Sequence, residues 1–165
     1  MSYYMGVDAS TSSTGYAVLD ESLNIIDKGK ITAKADDPKA FAYLYDELVK
    51  LITEYQPKIL ICEQQFAGRN MNVTIKLARP TGLVLAAAGL LDSVDFHFMP
   101  PMKWRKIYHT GTDKEKKYSK ENSFSVTQER FPGAVTSFKK DNDISDAIGM
   151  AYCAHTLDDD LHGTQ

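Results

Sequence analysis

Ile59-Leu60-Ile61-Cys62 enters after Pro57 and stops at Glu63. A short, continuous, β-branched run of this kind reads as a strand buried on both faces. Such a strand belongs to a sheet flanked by helices, an α/β architecture. Its last side chain then emerges at the rim of the sheet, where Glu63 is poorly hydrated. An ionised carboxylate there is unfavourable unless a cation or hydrogen-bond donors compensate it, or it takes up a proton. Something must therefore sit opposite Glu63.

The rest of the chain supplies the sheet around this strand. Residues 3–7, 15–19 and 24–32 alternate like strands, and the tight Ser/Thr and Asp-Glu-Ser links between them predict an antiparallel meander. Asp37-Pro38 is an N-cap followed by proline at the first helical position. Phe41, Leu44, Leu48, Leu51, Ile52 and Tyr55 then recur at helical spacing until Gln56-Pro57. After the Glu63 strand come a polar stretch, a small-residue helix through residues 83–91 and a fifth strand at 94–98. Pro80 interrupts the pattern that starts near Asn72, which predicts either a kink or a helix that begins there. Residues 110–122 read as the one long loop, and residues 143–156 as the last helix. Residues 1–157 are expected to form a single domain, and the acidic residues 158–165 a frayed, flexible tail.

Of the 165 residues, 43% are hydrophobic, enough for one ordinary core. No leader pattern opens the chain, and the longest apolar run is about half a bilayer span. These features predict a soluble, cytoplasmic protein without membrane contact. Cys62 and Cys153 have apolar or aromatic neighbours and no metal-ligand spacing, so both read as reduced core thiols. The net charge of −3 argues against simple coating of nucleic acid, but the charges are segregated. Residues 1–57 hold 5 basic and 9 acidic side chains, residues 58–140 hold 14 and 7, and residues 141–165 hold none and 6. A basic middle beside acidic ends suits a phosphate-binding surface next to an acidic metal site; chance clustering of solvated charges is the plainer alternative.

Asp8 ends the first strand as Glu63 ends the fourth. Were these strands parallel neighbours, both carboxylates would lie on one rim. Asp143 and Asp146 are three apart and share a helix face, with stabilisation of a helix N-terminus as their plainer role. Four acids without His or Cys select hard cations, Mg²⁺ or Mn²⁺. Two such ions about 4 Å apart would serve an in-line phosphoryl displacement.

These residues also carry a resemblance. GVDASTSSTGYAVLD resembles the first hairpin of the RuvC family of Holliday junction resolvases, ICEQQF its strand-end Glu-Gln-x-Phe, and DNDISDAIGMAYCA its terminal Asp-x-x-Asp-Ala helix. The order and separations fit from about Tyr3 to His155. The resemblance implies a ribonuclease-H-like fold with a five-stranded mixed sheet, a homodimer, and a metal-dependent endodeoxyribonuclease that makes paired nicks in four-way or other branched DNA. It assigns catalysis and the holding of two Mg²⁺ (or Mn²⁺) ions to Asp8, Glu63, Asp143 and Asp146, with no small-molecule cofactor. It further makes Phe66 a wedge against an unpaired base at the crossover, where stacking contributes about 1–3 kcal/mol, and points to Lys103 as a DNA contact. The loop after Lys103 is longer here by about three residues, so the family's second DNA-contacting lysine is either Lys117 or Lys120. Ala9-Ser10 replaces the family's usual Pro-Gly. Such departures suit a phage-borne or otherwise specialised member, which would act in the host cytoplasm.

Arg69, Lys76, Arg79 and Arg105 are further candidates for phosphate contact, with ordinary solvated charge as the alternative. Trp104 is assigned to core packing ahead of stacking on DNA. Gly82, Ala86, Ala87, Ala88 and Gly89 permit close backbone approach, either in a dimer or against the sheet. His97 and His155 carry no assigned chemistry. Three other functions compete: a nuclease of the same fold acting on RNA or flaps, a non-catalytic junction-binding module, and an actin-like ATP-binding protein. The last shares the Gly-Val-Asp hairpin but clamps nucleotide between two such domains, of which one is seen here.

Overall fold

The computed structural model describes residues 1–34, 36–66 and 68–163. Its elements are β1 (Tyr3–Ala9), β2 (Ser13–Asp20), β3 (Ile25–Thr32), α1 (Pro38–Tyr55), β4 (Ile59–Glu63), α2 (Met71–Ala88), β5 (Asp95–Met99), α3 (Pro101–His109), α4 (Lys120–Arg130) and α5 (Phe138–His162). The strands form one mixed sheet in the order β3-β2-β1-β4-β5. β1, β2 and β3 form the antiparallel meander, whereas β4 and β5 join β1 in parallel. One face carries α1 and α2, which bury Leu44, Leu48, Ile52, Val84 and Ala87 on Met5, Val7, Leu60 and Cys62. The opposite face carries α3, α4 and α5, with Trp104, Tyr108, Val126 and Met150 packed on Tyr4, Ile59 and Ile61. β4 is thus covered on both sides, as its continuous apolar run requires.

The α1 boundaries follow from their caps. The Asp37 side chain accepts from the backbone N–H of Lys39 and Ala40, Pro38 opens the helix, and Gln56 closes it in the left-handed conformation. Pro80 neither starts a helix nor divides one, since α2 runs through it from Met71 to Ala88 with Pro80 itself buried. The missing N–H at Pro80 leaves one acceptor in the preceding turn unused, and the next residue, Thr81, donates its hydroxyl to the Leu77 carbonyl (2.8 Å).

Three expectations are corrected on the α3–α5 side. The stretch read as loop is shorter, because Ser119 caps α4 at Lys120. The last helix starts at Phe138, with Asp141 as its first-turn acid. Asp143 and Asp146 therefore lie beyond the first turn, and their charges are not there to stabilise the helix N-terminus. Nor does the chain fray at Leu157: α5 continues to His162, and Asp158 is buried, accepting from the Tyr4 hydroxyl (2.6 Å) and pairing with Lys58 (2.7 Å). The final two residues of the expected tail lie outside the described residues. Among the described residues no helix is long and apolar enough to cross a membrane.

Candidate active site

β1 and β4 run side by side with Val7 opposite Cys62, so the next residue of each, Asp8 and Glu63, leaves the sheet at the same rim. Strand alternation puts both on the face that α5 covers, in line with Tyr4, Gly6, Ile59 and Ile61. α5 can sit directly on β1 and β2 because two positions lack side chains. A Cβ on Gly6 would collide with the Ala147 carbonyl, and one on Gly15 with the Asp143 carbonyl. Gly15 is the register partner of Asp8. The helix backbone thus crosses the sheet at the level of Asp8, and Asp143 and Asp146 join the two strand-end acids.

The resulting cluster is electrostatically costly. Asp8 and Asp146 are 5% and 2% exposed, while Glu63 and Asp143 are half-buried. Burial, aided by repulsion from Asp146 and Glu63, raises the pKa of Asp8 well above the usual carboxylate range. Burial likewise pushes Asp146 up to about 7, against the attraction of Lys120. Lys120 is the cation nearest the cluster, its Nζ 3.4 Å from Asp146 Oδ2 and 3.9 Å from Asp143 Oδ1. Burial opposes its charge, but Asp146, Asp8 and Asp143 outweigh burial and raise its pKa. Ser13 donates its hydroxyl to Asp143 Oδ2 (2.6 Å). The group opposite Glu63 is the Trp104 indole, whose Nε1–H donates to Oε2 at 2.8 Å.

Two oxygens, Asp8 Oδ2 and Asp146 Oδ1, are buried without a hydrogen-bond partner. Among the described residues no three carboxylate, histidine or cysteine side chains close up far enough to hold a metal ion as they stand. The donor set nevertheless fits a hard divalent cation, since it consists of carboxylates alone and two of its oxygens lack any other partner.

The basic candidates divide into two groups. Arg69, Lys76, Lys103 and Lys117 are exposed, as is Phe66 at 61%. Lys76 lies 3.9 Å from Asp36, which also pairs with Arg79. Arg105 and Lys120 are half-buried: Lys120 pairs with the acids, whereas Arg105 stands over the Trp104 ring at 5.1 Å, donates to the Tyr118 carbonyl at 3.4 Å and acts on Asp146 through its charge. Of the two loop lysines, only Lys120 pairs with members of the acid cluster. His97 pairs with Asp95, and His155 with Asp159. Cys62 and Cys153 are free and buried. Sequence reasoning missed Ser13 and the donor role of Trp104. A Ser/Thr-rich turn does not disclose which hydroxyl meets the last helix, and Trp104 sits in α3, a helix that was not anticipated.

The chain is similar to known proteins along most of its length. The chain matches the family model described as crossover junction endodeoxyribonuclease RuvC over residues 4–155. It is 28% identical to the RuvC of Chloroherpeton thalassium, over 92% of this chain and 80% of that protein. It is 26% identical to the RuvC of Dehalococcoides mccartyi, over 92% and 91%. Among solved structures it is similar to Thermus thermophilus RuvC in complex with a Holliday junction substrate, with a TM-score of 0.76 at 16% identity, covering 99% of this chain and 98% of that one. It is also similar to the yeast mitochondrial Holliday junction resolvase, with a TM-score of 0.62 at 13% identity, covering 96% and 80%. These likenesses bear out the ribonuclease-H-like α/β fold. Matched along almost its whole length, the chain belongs to the RuvC family of crossover junction endodeoxyribonucleases.

Proposed function

We propose that this protein resolves four-way DNA junctions by hydrolysing a phosphodiester in each of two opposed strands, leaving 5′-phosphate and 3′-hydroxyl ends. Asp8, Glu63, Asp143 and Asp146 are its catalytic acids and would hold two Mg²⁺ or Mn²⁺ ions. The observation that supports this reading is the convergence of acids from β1, β4 and α5 at one rim, with two buried oxygens lacking a partner. When bound, such ions activate a water and stabilise the departing oxygen.

The chain's own residues prepare that chemistry. Ser13 fixes one oxygen of Asp143, and Lys120 offsets the repulsion among the acids while offering a positive charge to a phosphate brought to the rim. Arg105 adds charge behind Asp146. Phe66, exposed just beyond Glu63, would stack on a base opened at the crossover. Arg69, Lys76, Lys103 and Lys117 supply sequence-independent attraction to the sugar–phosphate chain. A homodimer suits the substrate, because a four-way junction is nearly two-fold symmetric and an isologous pair of sites makes paired cuts. The surface offered for it is the outer stripe of α2, where Met71, Ile75, Gly82, Leu85 and Ala86 are exposed.

The test is incubation of the purified protein with a synthetic four-way junction, a flap, a duplex and an RNA·DNA hybrid, with and without divalent metal. Paired nicks are expected in the junction alone, and only with metal. Asp8→Asn is expected to abolish nicking and leave junction affinity intact, because the basic surface supplies most of the binding. Nicking by that variant would remove Asp8 from the mechanism, and equal cleavage of all four substrates would remove junction selectivity.

A further inference from the structure

Trp104 is completely buried, yet its one polar atom does not face the core. Its Nε1–H points at the rim and donates to Glu63 Oε2 at 2.8 Å. The ring is held from several sides. Gly149 of α5 leaves space against it, since a Cβ there would lie 2.7 Å from Trp104 Cζ3. Tyr108, one helical turn on, tilts against it with ring centroids 6.2 Å apart. Arg105 covers it at 5.1 Å, and Cys153 of α5 donates its thiol to the Trp104 carbonyl at 3.2 Å. An indole clamped in this way has no freedom to turn its N–H elsewhere, and no other hydrogen bond is recorded to Glu63 Oε2 among the described residues. The contact therefore ties Glu63, at the end of β4, to α3, which through Trp104 packs in turn on α5, the helix that carries Asp146.

We propose that Trp104 is a positioning residue: its indole N–H holds one oxygen of Glu63 so that the other is presented to the divalent cation. This rests on the assignment of Glu63 as a ligand. A neutral donor suits the task. It steadies the carboxylate without cancelling the charge the cation needs, whereas a lysine or arginine at the same place would compete with the cation.

Trp104 is the only tryptophan in the chain, so biosynthetic replacement by benzothienylalanine, which has the shape of the indole but sulfur in place of N–H, changes this one contact. Four quantities are compared with the unmodified protein: Mn²⁺ affinity from the electron paramagnetic resonance of free ion, single-turnover nicking of a synthetic junction, junction affinity without metal, and the thermal midpoint. Mn²⁺ affinity and nicking are expected to fall together by roughly 10–100-fold, the range for losing a hydrogen bond to a metal-bound carboxylate. Junction affinity and thermal midpoint are expected to stay native. Unchanged Mn²⁺ affinity with unchanged nicking overturns the proposal. Trp104→Phe, in which packing is also altered, is expected to show the same metal defect, and native Mn²⁺ affinity in that variant counts equally against it. Glu63→Gln separates the two levels of the reading. Native nicking by Glu63→Gln removes Glu63 itself from the site, whereas its inactivity beside a native benzothienylalanine protein removes Trp104 alone.

Discussion

Asp146 ionises near pH 7 in the folded chain, because burial opposes its charge, but near 3.9 once unfolded, as an ordinary aspartate does. The folded state thus binds the proton more tightly. The stabilisation this gives is complete below about pH 3.9 and is lost as the pH rises through about 7. Asp8 acts in the same direction. Lys120, also raised, loses its proton only in strongly alkaline solution and leaves the trend intact. Burial of His109 lowers its pKa and acts the other way over this range, so the melting temperature of metal-free protein is expected to fall from about pH 5 to about pH 8 relative to that of Asp146→Asn. Asp146→Asn should also stabilise the metal-free protein at pH 8 by on the order of 1–2 kcal/mol, at the expense of nicking. Identical melting of the two proteins at pH 8 would contradict the assignment. Asp8 and Glu63 were legible in the sequence because each ends an apolar strand. Ser13 and Trp104 were not, because their contacts depend on how α5 and α3 are turned.

At the scale of elements, the site depends on how closely α5 approaches the sheet. Gly6→Ala would set a methyl against the Ala147 carbonyl, part of a helix backbone that cannot move aside locally. The expected result is destabilisation by about 3 kcal/mol or more, with nicking lost even where the protein remains folded, since Asp143 and Asp146 would be lifted from Asp8. Denaturant unfolding and the junction assay read the two effects, and native values in both would show that α5 tolerates the displacement. The meander, α1 and β4 were readable because period-two alternation, an Asp-Pro cap and an unbroken apolar run each specify one structure. α4 was not, because Ser123 and Thr127 share its buried side with Phe124 and Val126. Their hydroxyls are accommodated by His109 and by Tyr108 and Ser145 at 2.8 Å, partners that no local pattern discloses. The start of α5 was misplaced for a related reason. Its first turns are charged, and its apolar spacing becomes visible only after Asp143.

For the whole molecule, the segregation of basic and acidic residues was plain in the sequence, but which face would meet a second copy in the proposed dimer was not, because small residues suit a dimer and a sheet equally well. In the structure Val84, Ala87 and Ala88 of α2 face the sheet, while Met71, Ile75 and Leu85 (61%, 45% and 48% exposed) face outward. Leu85→Asp is accordingly expected to convert the proposed dimer to a monomer in light scattering and to replace paired nicks with single ones, leaving the acid cluster untouched. A dimer that persists in this variant would move the interface off this stripe. The union of β1 with α5 bears on synthesis as well. A chain still emerging from the ribosome carries Asp8 and Glu63 long before Asp143 and Asp146 exist, and translation proceeds from the N-terminal end. On the proposed assignment of the four acids, no hydrolytic centre assembles on a nascent chain until Asp146 has been made, so copies that stop short of it do not cut the DNA around them.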